Sequence, residues 1–122
     1  MTGRLINNIE KLNISPRHKN FINEFINNAK DDVRISTIIL FGSCAKGTAN
    51  ERSDIDILIT THDDIGEDQE LGFYDYLPPY NNDYVPCDLL VMPKKRYEDN
   101  IDTHFSIQKY INIYGVELSG LL

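Results

Sequence analysis

Residues 41–60 read FGSCAKGTANERSDIDILIT, and the fold turns on how this stretch is understood. Its second half alternates: Ile55, Ile57 and Ile59 fall on one side, Asp54, Asp56 and Leu58 on the other. That period predicts a strand over 54–60 with both aspartates on one face. An unpaired buried carboxylate is very costly, so a strand entering a core with two of them implies a positive partner. At ~3.3 Å rise per residue the two carboxylates lie about 6–7 Å apart. Carboxylates at that spacing can embrace a pair of Mg2+ ions ~3.5–4 Å apart.

Working outward, STIILF (36–41) is β-branched and apolar and stops at Gly42, which predicts a buried strand. Glycine lets the backbone turn and approach a ligand closely. The amides that follow, with the Ser43 hydroxyl, can cup a phosphate chain. Residues 43–53 are polar, with Gly47 and Asn50 as turn formers, and Lys46 and Arg52 add local positive charge. A third strand is predicted over 84–92, YVPCDLLVM, with Pro86 near its start. Asp88 is the acid that interrupts it. If this strand pairs with 54–60 in register, Asp88 completes a three-carboxylate cluster; in another register Asp83 takes that place. Hard oxygen ligands of this kind suit Mg2+ or Mn2+.

The remainder supplies covering helices. Leu5, Ile9 and Leu12 have helical spacing within 4–13, predicting a short amphipathic helix. Ser15-Pro16 reads as an N-cap followed by proline at the first helical position. The helix it opens carries Phe21, Ile22, Phe25, Ile26 and Ala29 on one stripe and ends near Asp31. Residues 62–83 are acidic and then aromatic, a loop with a helical piece around 67–77. Pro93 opens a basic helix, KKRYEDN, and 103–114 form a last helix stopped by Gly115. The order is α-β-α-β-α-β, one domain over 1–122 with its core at about 16–118.

The bulk numbers set limits. A chain of 122 residues with 41% hydrophobic and 25% charged content suits one globular core. A net charge of −7 argues against gripping long nucleic acid through its backbone. It leaves room for a metal-bound nucleotide, whose ion brings its own charge. No apolar run approaches the ~20 residues of a membrane span, and MTGRLINNIEKLN lacks a secretory h-region, so a cytoplasmic location is expected. Cys44 and Cys87 are read as reduced core fillers. The isolated His18, His62 and His104 do not supply a zinc site.

Gly42-Ser43, ten residues, Asp54, one residue, Asp56 matches the GS-x10-DxD signature of the DNA polymerase beta-like nucleotidyltransferase superfamily. The run GSCAKGTANERSDIDILI resembles most the minimal nucleotidyltransferases (MNT), a group that includes MntA-type antitoxins paired with HEPN ribonuclease toxins. Asp88 in CDLLV matches that family's third carboxylate, and YGVELSG resembles its C-terminal segment. The resemblance implies an α+β fold, a small mixed sheet flanked by helices, with two Mg2+ ions and an NTP, ATP first, as donor. Carried over by position, Ser43 contacts the β- and γ-phosphates, Asp54 and Asp56 bridge the metals, and Asp88 helps deprotonate the acceptor hydroxyl. The stretch 62–83 is longer and more acidic than the family's usual connector.

Other readings stand beside these. Ser43 can simply cap the following turn, Lys46 and Arg52 can form surface pairs, and Lys94-Lys95-Arg96 can be a solvated helix face. The tyrosines at 74, 76, 80 and 84 read as packing residues. One core uses up the chain, so the acceptor pocket is expected from a partner, a HEPN toxin in the first instance, or from a second copy. The alternatives are an antitoxin that binds without chemistry and an aminoglycoside-type small-molecule transferase. Sugar transfer by a DxD enzyme leaves Gly42-Ser43 unexplained.

Overall fold

The computed structural model describes residues 4–79 and 84–121; Tyr80 and Asp83, both considered above, lie outside them. Five strands form one mixed sheet in the order β1-β5-β2-β3-β4. They are β1 (Arg4–Leu5), β2 (Ile35–Phe41), β3 (Ile55–Thr61), β4 (Cys87–Pro93) and β5 (Val116–Glu117). Pairs β2–β3 and β2–β5 are antiparallel, and β3–β4 and β1–β5 are parallel. The α+β class with helices around a mixed sheet is as expected.

Both faces of the central strands are covered, which is why β2 and β3 are nearly continuous apolar runs. Helix α1 (Pro16–Ala29) packs Phe21, Ile22, Phe25 and Ile26 onto Ile38, Leu40, Ile55, Ile57 and Ile59. On the other face Ile39, Phe41, Leu58 and Met92 meet Tyr97 of α4 (Lys94–Asp99) and Ile111 of α5 (Ile107–Tyr114). The predicted stripe of α1 is buried throughout, and Ser15 caps it by accepting from the His18 amide. The short helices α2 (Ser43–Lys46) and α3 (Glu67–Gly72) follow β2 and β3.

Four expectations are corrected. Residues 4–13 form β1 and a 3-10 turn at Ile9–Lys11 rather than a helix. Pairing of Arg4 and Leu5 with Val116 and Glu117 outweighs a weak local helical pattern, leaving Leu5 exposed and Ile6 buried. The GVELSG segment is accordingly a strand, β5, which extends the three-strand reading to five. The polar segment 43–53 begins with a helical turn, α2, stopped by left-handed Gly47. The last helix starts at Ile107, where Ser106 accepts from the Lys109 amide, rather than at 103. The acidic-aromatic stretch contains the anticipated helical piece, α3 continuing into a 3-10 turn at Phe73–Tyr76.

That piece is tied to the sheet through Asp32. Arg34 donates to both its carboxylate oxygens, Nε to Oδ1 at 2.9 Å and an Nη2 to Oδ2 at 2.6 Å. Tyr76 Oη adds a third bond at 2.6 Å, and the guanidinium lies 4.4 Å over the Phe73 ring. The Arg34 hydrogen bond is the main cause holding the Asp32 pKa well below the carboxylate range. A depressed folded-state pKa gives stability that is present above the unfolded value, about 3.9, and lost as pH falls through the folded one. Asp32→Asn is expected to cost about 1–2 kcal/mol at pH 7 and to flatten the acid limb of a thermal-melt series. An unchanged acid limb would remove Asp32 from this role.

Candidate functional site

The site begins at the end of β2. Phe41 pairs with Asp56 across the β2–β3 ladder, so the bend at Gly42 falls beside the Asp56 carboxylate. Gly42 has φ +74°, and a Cβ there would collide with Asp56 Oδ2 and lie 3.2 Å from its Cγ. Only glycine both adopts this backbone and leaves that space. The chain then turns into α2, where the amides of Ala45 and Lys46 both return to the Gly42 carbonyl at 3.1 Å. Ser43, at the first position of that turn, is half-buried.

Asp56 also pairs with Asp88, because the parallel register of β3 and β4 sets Ile55 opposite Cys87 and Asp56 opposite Asp88. Both belong to the sheet face that carries Leu58 and Met92. An open pocket of about 420 Å3 lies over them, bordered by Phe41, Tyr74 and Leu90. Asp54 precedes β3 and is exposed; its carbonyl accepts from Cys44 Sγ at 3.4 Å. Burial first, then the Asp88 charge, a hydrogen bond with Asp88 and the Asp54 charge raise the Asp56 pKa to about 6. Asp56 therefore keeps its proton to a higher pH than an ordinary aspartate while no cation is present.

Among the described residues no three His, Cys, Asp or Glu side chains are drawn close enough to hold an ion outright. The expected cluster exists here as the Asp56–Asp88 pair with Asp54 in electrostatic reach. The donors nevertheless fit a hard divalent cation: all are carboxylates, and their mutual repulsion is what a cation relieves.

The two predicted cations differ in placement. Lys46 Nζ lies 4.8 Å and 4.7 Å over the rings of Tyr110 and Tyr114, and a hydrogen bond with Tyr110 raises its pKa. It adjoins the bend through α2. Arg52 is exposed, its amide donating to Asn50 Oδ1 at 2.8 Å. The thiols are pushed up, Cys44 to about 11 and Cys87 to about 12, chiefly by burial and then by the neighbouring aspartates. Neither cysteine is in a disulfide, and protonated thiols at these positions fill space rather than attack.

Two residues that position the site were not singled out from the sequence. His18 is fully buried; its Nε2 donates to the Ser53 carbonyl at 2.7 Å and its Nδ1 accepts from Ser15 Oγ at 2.6 Å. It thereby pins the residue before Asp54 to the start of α1. Arg17 donates to the carbonyls of Glu51 and Tyr84, joining the loops that lead into β3 and β4. The position one turn into α1 was the available signal, since a histidine there faces the same side as Phe21 and Ile22. His18→Ala is expected to cost about 2–3 kcal/mol, the loss of two buried hydrogen bonds and a side chain, measured by chemical denaturation. A loss below half a kcal/mol would contradict this role.

Among curated proteins none matches the chain, and no helix of the described residues is long and apolar enough to cross a membrane. The sequence model of the nucleotidyltransferase domain matches residues 22–110. That span contains the bend at Gly42-Ser43, Asp54 and Asp56 at the start of β3 and the acid facing Asp56 on β4, so the match covers most of the chain and the carboxylates of the site. The chain belongs to the nucleotidyltransferase domain family.

Proposed function

We propose that the protein is a Mg2+-dependent transferase that moves the nucleoside monophosphate of an NTP, ATP first, to a hydroxyl on a partner protein. The observation that carries this reading is the juxtaposition of Asp56 with both Gly42 and Asp88. It sets a phosphate-sized bend against a carboxylate pair. Asp54, Asp56 and Asp88 are the residues that would hold the ions, with Mn2+ an acceptable substitute. Bound there, the ions would lower the pKa of the acceptor oxygen and neutralise charge on the leaving pyrophosphate.

The chain's own groups divide the remaining work. Gly42 and the Ser43 hydroxyl face the β- and γ-phosphates, with the first amides of α2. Lys46, which adjoins the bend through α2, supplies positive charge beside it, and Arg52 is the second candidate for that role. The acceptor oxygen attacks the α-phosphorus in line, an O–P bond forms, and the bond to the β-phosphate oxygen breaks to release pyrophosphate. Asp88, exposed on β4, accepts the hydroxyl proton. The resemblance to minimal nucleotidyltransferases supports a HEPN-type partner and an antitoxin role, and a cytoplasmic setting.

Incubation with each α-labelled NTP and Mg2+, alone and with a co-expressed HEPN-type protein, tests this directly. Mass spectrometry should find one nucleoside monophosphate on a partner hydroxyl and none without Mg2+. Neutralisation of the partner without any mass increase would favour a binding antitoxin instead. Label on a small molecule alone would favour the aminoglycoside-type reading.

A further inference from the structure

Strand β4 ends the sheet, and among the described residues no strand pairs with its outer edge. The Ile55 amide donates to the Pro86 carbonyl at 2.9 Å. By the alternation of a parallel ladder, Asp88, Leu90 and Met92 then turn their peptide groups toward β3. Those of Cys87, Leu89 and Val91 point away from the sheet. Tyr74 Oη donates to the outward Leu89 carbonyl at 2.9 Å, as expected for a carbonyl on that side.

A groove runs along this edge. A cavity of about 240 Å3 between Glu70, Leu71 and Tyr74 on one wall and Leu89, Leu90 and Val91 on the other shares Tyr74, Leu89 and Leu90 with the pocket over Asp56 and Asp88. The two adjoin at these shared residues, so the groove runs along the edge toward the acids. The groove is apolar at its walls: Leu71 is 65%, Tyr74 45% and Leu90 36% exposed. Glu70 lines the groove, and the helix that carries it, α3, also carries Glu67 and Asp68 and no Lys or Arg. Exposed strand edges are usually blunted by lysine or proline; here a proline stands only at the last outward position, Pro93, and Cys87, Leu89 and Val91 keep their outward N–H groups.

From the open edge, the groove along it and the acidic flank we infer that the acceptor is presented by an extended, basic segment of the partner polypeptide, which adds to β4 as a sixth strand. Main-chain bonds to the Leu89 amide and to the Val91 peptide groups hold it, alternate apolar side chains enter the groove, and lysines or arginines meet the acids of α3. The segment's hydroxyl side chain then reaches Asp88 at the groove's end. The identity of the reacting group rests on the nucleotidyl-transfer reading; the docking mode does not.

The test uses a synthetic octapeptide of alternating lysine and valine with one central tyrosine, and the full chain labelled for amide spectroscopy. Hydrogen exchange at the Leu89 and Val91 amides should slow about tenfold at saturating peptide, the effect of one or two main-chain bonds. The same peptide methylated at its three central amides should give no protection, and its glutamate-for-lysine form should bind about tenfold more weakly. Val91→Pro removes an outward N–H without touching the β3 ladder and should abolish binding. The methylated peptide makes the same comparison on the unaltered protein should that variant fold poorly. Equal protection by the methylated peptide, or unprotected Leu89 and Val91 amides, would overturn the inference. So would edge amides already protected by self-association of the chain. Mg·ATP binding, followed separately by the shift of the Ser43 amide, reports on the transferase reading: its loss with strand addition intact would strike that reading alone.

Discussion

An Asp56→Asn variant is expected to lose nucleotidyl transfer by about a thousandfold or more and yet to melt at a higher temperature than the parent chain. Both effects have one cause. Asp56 sits opposite Asp88 and near Asp54, so its charge holds a cation well and repels its neighbours when the cation is missing. Its folded-state pKa, about 6, exceeds the unfolded value of about 3.9, so the folded chain keeps this proton more tightly. The resulting stability is full below about pH 4 and is lost as pH rises through about 6. Partial solvent access screens the effect to on the order of 1 kcal/mol. Thermal melts from pH 4 to 8 should show this decline in the parent chain without metal, its reversal by Mg2+, and neither in the variant. Parental turnover in Asp56→Asn would reject the assignment.

Gly42→Ala should be nearly as damaging, by steric means alone. An alanine at φ +74° and ψ −157° stands in a region that is essentially glycine-only and carries about 1–3 kcal/mol of backbone strain. Its methyl group would also occupy the space of Asp56 Oδ2, so either the carboxylate swings aside or the Phe41–Asp56 end of the ladder opens. A total destabilisation of about 2–4 kcal/mol follows. Transfer should fall about a hundredfold, as a displacement of around 1 Å at a reacting centre implies. Gly47→Ala is the control for positive φ: φ is +77° there, in the milder left-handed helical region, and the nearest atoms to an added Cβ are those of Asn13 at 4.0 Å. It should show a backbone cost and keep activity within a few fold. Equal activity losses in the two variants would mean that the contact with Asp56 is irrelevant. Denaturation curves with single-turnover transfer assays separate the two contributions.

These variants mark where local sequence is informative. The helix α1, the strands β2 and β3 and the helical piece after them were legible because each signal is local: a serine-proline start, an apolar stripe at helical spacing, alternation of isoleucine with aspartate. The N-terminal segment was misread for the opposite reason. Arg4 and Leu5 become a strand through a partner more than a hundred residues away, and no window around them contains that information.

The sequence by itself determined that Asp56 alternates with isoleucines along a strand, that Gly42 ends a strand, and that a lone acid interrupts the strand at Asp88. Those statements follow from the two-residue period of a strand and the freedom of a residue without a Cβ. Only the tertiary structure decided that Asp88 stands opposite Asp56, that the bend touches the same carboxylate, and that His18 anchors the approach to Asp54. Register is a relation between segments, set by how the two apolar faces of the sheet are buried together, and a one-residue slip would have turned every acid to the other side.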